Sequence, residues 1–164
     1  MDSVAQEIAL AVPGPAGLTR ILLRLCAALV VGGVVGLQRQ NVGKSAGLRT
    51  HMLVALGTTL LVAVTDVATH SPEAISRVVQ GVATGIGFLG AGAILKLAPE
   101  REIHGLTTAA GIWMTAAAAI VVGLGYIVAA LIGVALGWIV LAVLARFEKH
   151  ARSTQDGDFD RRQR

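Results

Sequence analysis

The sequence predicts an all-α polytopic membrane protein, a helix bundle with five transmembrane helices, and three observations lead there. The 164-residue chain is 54% hydrophobic and 15% charged, with a mean hydropathy of +0.71, which leaves too little polar surface for a soluble domain of this size. Its apolar residues gather into stretches of about 20, the length an α-helix needs to cross the hydrocarbon core. The third observation is the run GVATGIGFLGAGAIL at 81–95, apolar throughout yet holding five glycines. Each interior glycine costs a soluble helix about 1 kcal/mol against alanine, whereas in a bilayer it lets neighbouring helices approach closely. No stretch alternates polar and apolar residues as a transmembrane strand would.

Taken in order, residues 1–17 form an extracytoplasmic N-terminal segment. It lacks a basic n-region and carries Asp2 and Glu7, so it is not read as a secretory signal peptide. Val4, Ile8, Ala11 and Val12 can share one helical face at the membrane surface before Pro13-Gly14-Pro15 breaks the pattern. Five spans follow within the membrane domain 18–146, at 19–37, 49–68, 75–97, 106–123 and 126–145. The last two run together without a charge, and Gly123, Gly125 and Tyr126 supply a tight hairpin with an interfacial aromatic. Residues 147–164 are polar and basic, and are expected to form a disordered cytoplasmic tail.

Orientation follows from the basic residues. In the five-span reading, 11 of the 14 lysines and arginines fall on one side, and only Arg20, Arg24 and Arg77 on the other. The positive-inside rule then places the N-terminus outside and the C-terminus in the cytoplasm. The pI near 10.0 is therefore assigned to topology, and nucleic-acid binding is not expected. The single cysteine, Cys26, cannot form an intrachain disulfide and is read as a small buried hydrophobe.

Two polar clusters emerge. On the cytoplasmic side, Arg39 closes the first span, Arg49, Thr50 and His51 open the second, and Thr107 and Thr108 open the fourth. Arginine forks and hydroxyls beside a helix N-terminus suit an anion, a phosphate or a partner's carboxylate; the alternative is that these residues only set topology and cap helices. On the outer side, Arg24, Asp66 and Arg77 fall at similar depth. An unpaired charge there costs about 2.5–3.5 kcal/mol on insertion scales, so Asp66 is expected to pair with one of the arginines. A packing ion pair and a transport site both remain open. Along the third span, Gly81, Gly85 and Gly92 recur at helical spacing with Arg77, Thr84 and Phe88, a small-and-polar stripe for helix packing in the bundle or against a symmetry mate, with Gly87 and Gly90 beside it.

The motifs that would mark an enzyme fail on context. Gly85, Gly87 and Gly90 make a formal G-x-G-x-x-G, but no preceding strand or βαβ unit accompanies it. Gly43-Lys44-Ser45 resembles the end of a P-loop, yet Gln38 stands where the first glycine is required. There is no Cys/His cluster, nucleophile elbow or close pair of intramembrane carboxylates. No catalytic residue and no cofactor is expected, and no metal ligand set is identified.

The blocks GLQRQNVGKSAGLRTHMLVALG (36–57), RVVQGVATGIGFLGAGAIL (77–95) and GLTTAAGIWMTAAAAIVVGLGY (105–126) resemble the membrane domain of the MgtC/SapB family. The resemblance implies a multi-pass protein of the bacterial inner membrane, linked to magnesium homeostasis and limitation, to virulence and to control of the ATP synthase. It carries over Arg39, Arg49, Thr50, His51, Gly85, Gly87, Gly90, Gly92, Thr107 and Thr108, and Asp66 more weakly. The family usually has a glutamate where Gln38 stands.

Two functions follow as expectations. One is a non-enzymatic regulator acting through contacts in the bilayer with a second copy or another membrane protein. The other is a transporter or channel for magnesium or another small ion. Magnesium is met by oxygen ligands, usually carboxylates, and the spans offer Asp66 alone, so a pathway would need a homo-oligomer that rings several copies of it.

Overall fold

The computed structural model describes residues 14–94 and 105–143. The N-terminal segment before Gly14, the third-to-fourth connection and the tail expected after residue 146 lie outside the described residues. All described elements are helices: α1 (Pro15–Asn41), α2 (Leu48–Thr69), α3 (Pro72–Ile94), α4 (Leu106–Gly123) and α5 (Ile127–Val143). The first four are long and apolar enough to cross a membrane, and α5 is a shorter apolar helix over its described part. The chain divides into two compact units, Met1–Val134 and Ala135–Arg164. Of the second, residues 135–143 are described, and they are helical.

Local chemistry sets the helix ends, and α1, α2 and the start of α3 reach beyond the apolar stretches that announce them. Pro15 and Pro72 both occupy first-turn positions, where a missing N–H costs nothing. Ser71 caps α3 by accepting the Ala74 N–H at 3.3 Å. The expected hairpin after α4 is present: Tyr126 N–H reaches Val121 O and Gly125 N–H reaches Val122 O, with Gly125 at φ +91°. That paired closure is the Schellman arrangement, and its left-handed position favours glycine.

In the first unit, α4 is the central element, in contact with α1, α2 and α3, while α1 and α2 pack along each other. One core joins Ala28, Val31 and Val35 of α1 with Ala55 of α2, Ala118, Ala119 and Val122 of α4, and Ala130 and Val134 at the start of α5. A smaller one joins Ala46 and Ile86 to Ile112 and Ala116. Thr59 donates to the Ala119 carbonyl at 2.9 Å, a hydrogen bond between α2 and α4 inside the core.

Small residues let the helices approach. A methyl group built on Gly32 would stand 2.6 Å from His51 O and 2.8 Å from Met52 Cα, and one on Gly36 would stand 2.7 Å from Leu48 Cα. The α1–α2 seam is thus a Gly32-x-x-x-Gly36 contact of backbone on backbone. Gly123 of α4 makes room for a side chain of α2 instead, with an added methyl 2.7 Å from Val62 Cβ. Cys26, read from sequence as buried, is exposed on α1. The core face of that helix runs through Ile21, Ala28, Val31, Val35 and Arg39 instead.

Candidate functional site

At the end of the first unit where α1 finishes and α2 and α4 begin, a polar cluster is held inside the helices. Arg39, two residues before the end of α1, is 3% exposed, and His51, in the first turn of α2, is fully buried. Arg39 Nη2 donates to Thr107 Oγ1 at 3.4 Å and to Thr108 Oγ1 at 3.5 Å, both in the first turn of α4. These are long bonds for a charged donor, which ordinarily reaches oxygen at about 2.7–2.9 Å. His51 Nδ1 and Thr115 Oγ1 are hydrogen-bonded at 2.8 Å, and Thr115 Oγ1 in turn donates to Gly111 O at 3.0 Å. Gly111 lies beneath both side chains, where an added methyl would touch His51 Cε1 at 3.5 Å and Arg39 Nε at 3.7 Å.

Four of the six residues expected in this patch therefore gather around α4. Arg49 and Thr50 do not join them and stay exposed on α2. The sequence reading missed Gly111 and Thr115, one and two turns into α4, although Thr108, Gly111 and Thr115 repeat at the three-and-four spacing of one helix face. It also missed Gln40, whose side-chain oxygen accepts the Leu48 N–H at 3.4 Å at the start of α2.

The opposite end carries an ion pair. Arg24 Nη1 donates to Asp66 Oδ2 at 2.7 Å and to Gly123 O, also at 2.7 Å. Their side chains are 13% and 28% exposed. One guanidinium thus ties α1 to α2 and closes the carbonyl end of α4, where the helix dipole favours a cation. Arg77, expected at similar depth, is exposed on α3 and makes no ion pair among the described residues. Among the described residues, no group of three or more His, Cys, Asp and Glu side chains could hold a metal ion.

The third site expected from sequence, the glycines of α3, is placed differently from a bundle seam. Among the described residues, methyl groups built on Gly81, Gly85, Gly87 and Gly92 would meet nothing within 4 Å, and one on Gly90 would meet Ala109 Cβ at 3.7 Å. Among the described residues these glycines do not pack helices together; Gly32, Gly36 and Gly123 do. Ile86 turns towards α4 and is the single buried residue of α3. Arg77, Gln80, Gly81, Thr84, Gly85 and Phe88 stay exposed on the helix.

The model of one family, the MgtC family, matches residues 25–150, an interval that contains Arg39, His51, Asp66, Arg77, Thr107 and Thr108. The chain belongs to the MgtC family. It is similar to Protein SrpB of Synechococcus elongatus, 50% identical over 113 residues, covering 62% of each chain. It is also similar to the protein of Escherichia coli named Putative magnesium transporter YhiD, 44% identical over 111 residues, with 63% of this chain and 51% of the relative covered. Protein MgtC of Salmonella typhimurium is 38% identical over 104 residues, 63% and 43% of the two chains. The chain thus spans roughly half the length of the curated relatives it matches. No solved structure matches it. MgtC-family membership and four long apolar helices make it a multi-pass membrane protein.

Proposed function

We propose that this MgtC-family protein is a non-enzymatic component of magnesium homeostasis in the bacterial inner membrane, one that regulates membrane energetics through protein contacts made inside the bilayer. The observation that carries the reading is the outer face of α3. Only 11% of its apolar segment is buried inside the molecule, against 50% of that of α4. Phe88 on that helix is 82% exposed, beside glycines with open space over their Cα atoms. A spanning helix with a stripe of glycine and polar side chains is built to meet another helix, because lipid tails gain nothing from glycine and leave Gln80 unsolvated. The partner is a second copy or a different membrane protein, with the ATP synthase implied by the family resemblance. The positive-inside count supports an orientation with the Arg39 end in the cytoplasm.

The test is Gly85→Leu combined with Gly92→Leu. Neither position is crowded among the described residues, so the variant is expected to keep the wild-type unfolding midpoint and to lose self-association or partner co-purification from mild detergent. Undiminished recovery would remove α3 as the contact face.

A second reading, magnesium or other small-ion transport by a homo-oligomer, has one observation in its favour: a relative 44% identical bears the name Putative magnesium transporter. The geometry supports it less, since Asp66 already accepts from Arg24 at 2.7 Å. Purified protein in sealed proteoliposomes is expected to give no magnesium influx above empty vesicles. Influx that disappears in Asp66→Asn would make transport the primary function and Asp66 its ligand.

A further inference from the structure

Arg39 is a buried residue, 3% exposed, and it has no carboxylate partner among the described residues. Among the described residues its Nε finds no hydrogen-bond partner, and His51 Nε2 and Gln38 Oε1 are likewise unpartnered. Buried polar groups in folded proteins are almost always paired, and a buried charge without its counter-charge is among the costliest arrangements a fold can hold. Three further facts describe what would complete it. Arg39 points at the first turn of α4, an 18-residue helix whose N-cap, Gly105, makes no side-chain capping hydrogen bond. The hydroxyls it touches, Thr107 and Thr108, stand at 3.4 and 3.5 Å, distances that leave them free to turn towards a closer acceptor. Thr107 is exposed while Thr108 is buried, so the pair of hydroxyls runs from the surface of α4 to its interior.

We propose that Arg39, Thr107, Thr108 and the start of α4 form a binding site for one small oxyanion, a phosphate or a carboxylate. Arg39 supplies the countercharge and a planar fork, the threonines supply hydroxyl donors, and the positive end of α4 adds its backbone N–H groups. His51, fastened to Thr115, is a positioning residue that walls the guanidinium against α4. This site is independent of the α3 contact face, on another helix set, so either proposal stands without the other.

The experiment is ligand-dependent thermal unfolding and calorimetry of the full chain in nanodiscs, in chloride buffer, with inorganic phosphate and sodium acetate as separate probes. Saturable stabilisation by phosphate, or by acetate alone, is expected, and which of the two acts identifies the oxyanion. Arg39→Gln is expected to weaken binding roughly ten- to hundredfold, the range for a lost charge-assisted hydrogen bond. It should also unfold no earlier than wild type without anion, because it removes an uncompensated charge. A purely structural arginine predicts the opposite, early unfolding and an unchanged anion response. Thr108→Val preserves shape and charge, and is expected to weaken binding several-fold even if Arg39→Gln does not fold. Absence of any response to both anions, or a response that survives Arg39→Gln, overturns the proposal.

Discussion

Replacing Gly32 and Gly36 together by leucine is expected to unfold the α1–α2 pair, with the largest stability loss of any two-residue change in the first unit. The obstacles are backbone atoms. A single methyl at Gly32 already falls 2.6 Å from His51 O, and one at Gly36 falls 2.7 Å from Leu48 Cα. Neither a carbonyl nor a Cα within a helix can swing aside as a side-chain tip does, so α1 and α2 must separate along their length. Even Gly32→Ala is expected to cost about 1–3 kcal/mol by overpacking, and the double leucine variant more than the sum of two such steps. Gly85→Ala on α3 is the control: with open space above it, it gains about 1 kcal/mol of helix propensity at most. Unfolding midpoints in mixed micelles titrated with denaturing detergent check both. Equal midpoints for Gly32→Ala and Gly85→Ala would refute the α1–α2 seam.

The second large effect is expected at Arg24. Removing one member of a fully buried ion pair costs about 3–5 kcal/mol; with side chains 13% and 28% exposed, about 1–3 kcal/mol is the better figure after discounting for screening. Arg24→Ala also leaves the Gly123 carbonyl without its donor. Asp66→Asn is milder, because an amide oxygen still accepts from Arg24 and the bond to Gly123 survives. The asymmetry is itself the prediction: Arg24→Ala well below Asp66→Asn in unfolding midpoint, and Arg24→Ala/Asp66→Ala less harmful than the two single changes summed. Exchanging the charges, Arg24→Asp with Asp66→Arg, should not restore stability. An aspartate at position 24 cannot donate to Gly123 O and faces the negative end of α4. Full rescue by the exchange would reduce Arg24 to a partner of Asp66 alone.

Much of this architecture was readable from residue order, and where it was not the reason is physical. Span existence follows from hydropathy, which is why α4 falls at 106–123 as expected. Hydropathy is blind to caps, and α3 begins at Pro72 because Ser71 and Pro72 start it, three residues before its apolar run. Depth alone could not choose between Arg24 and Arg77 as the partner of Asp66, since both satisfy the same electrostatic need. The choice rests on α1 lying along α2. Glycine content likewise announces close approach without naming the helix approached. The dense run on α3 drew attention, yet the sparse Gly32-x-x-x-Gly36 spacing holds the seam. At the Arg39 end, residue order placed six side chains on one side of the membrane. Only the packing of α1, α2 and α4 selects the four that meet there.

Arg24 holds two partners that reach it at different moments of synthesis. Asp66 follows it by 42 residues and Gly123 by 99. A chain threaded into the bilayer from its N-terminus therefore carries a lone guanidinium through one helix, receives a counter-charge with the next, and closes the final hydrogen bond only when the fourth helix is complete. The carboxylate thus offsets the buried charge of a half-made protein before the bond to the central helix can form.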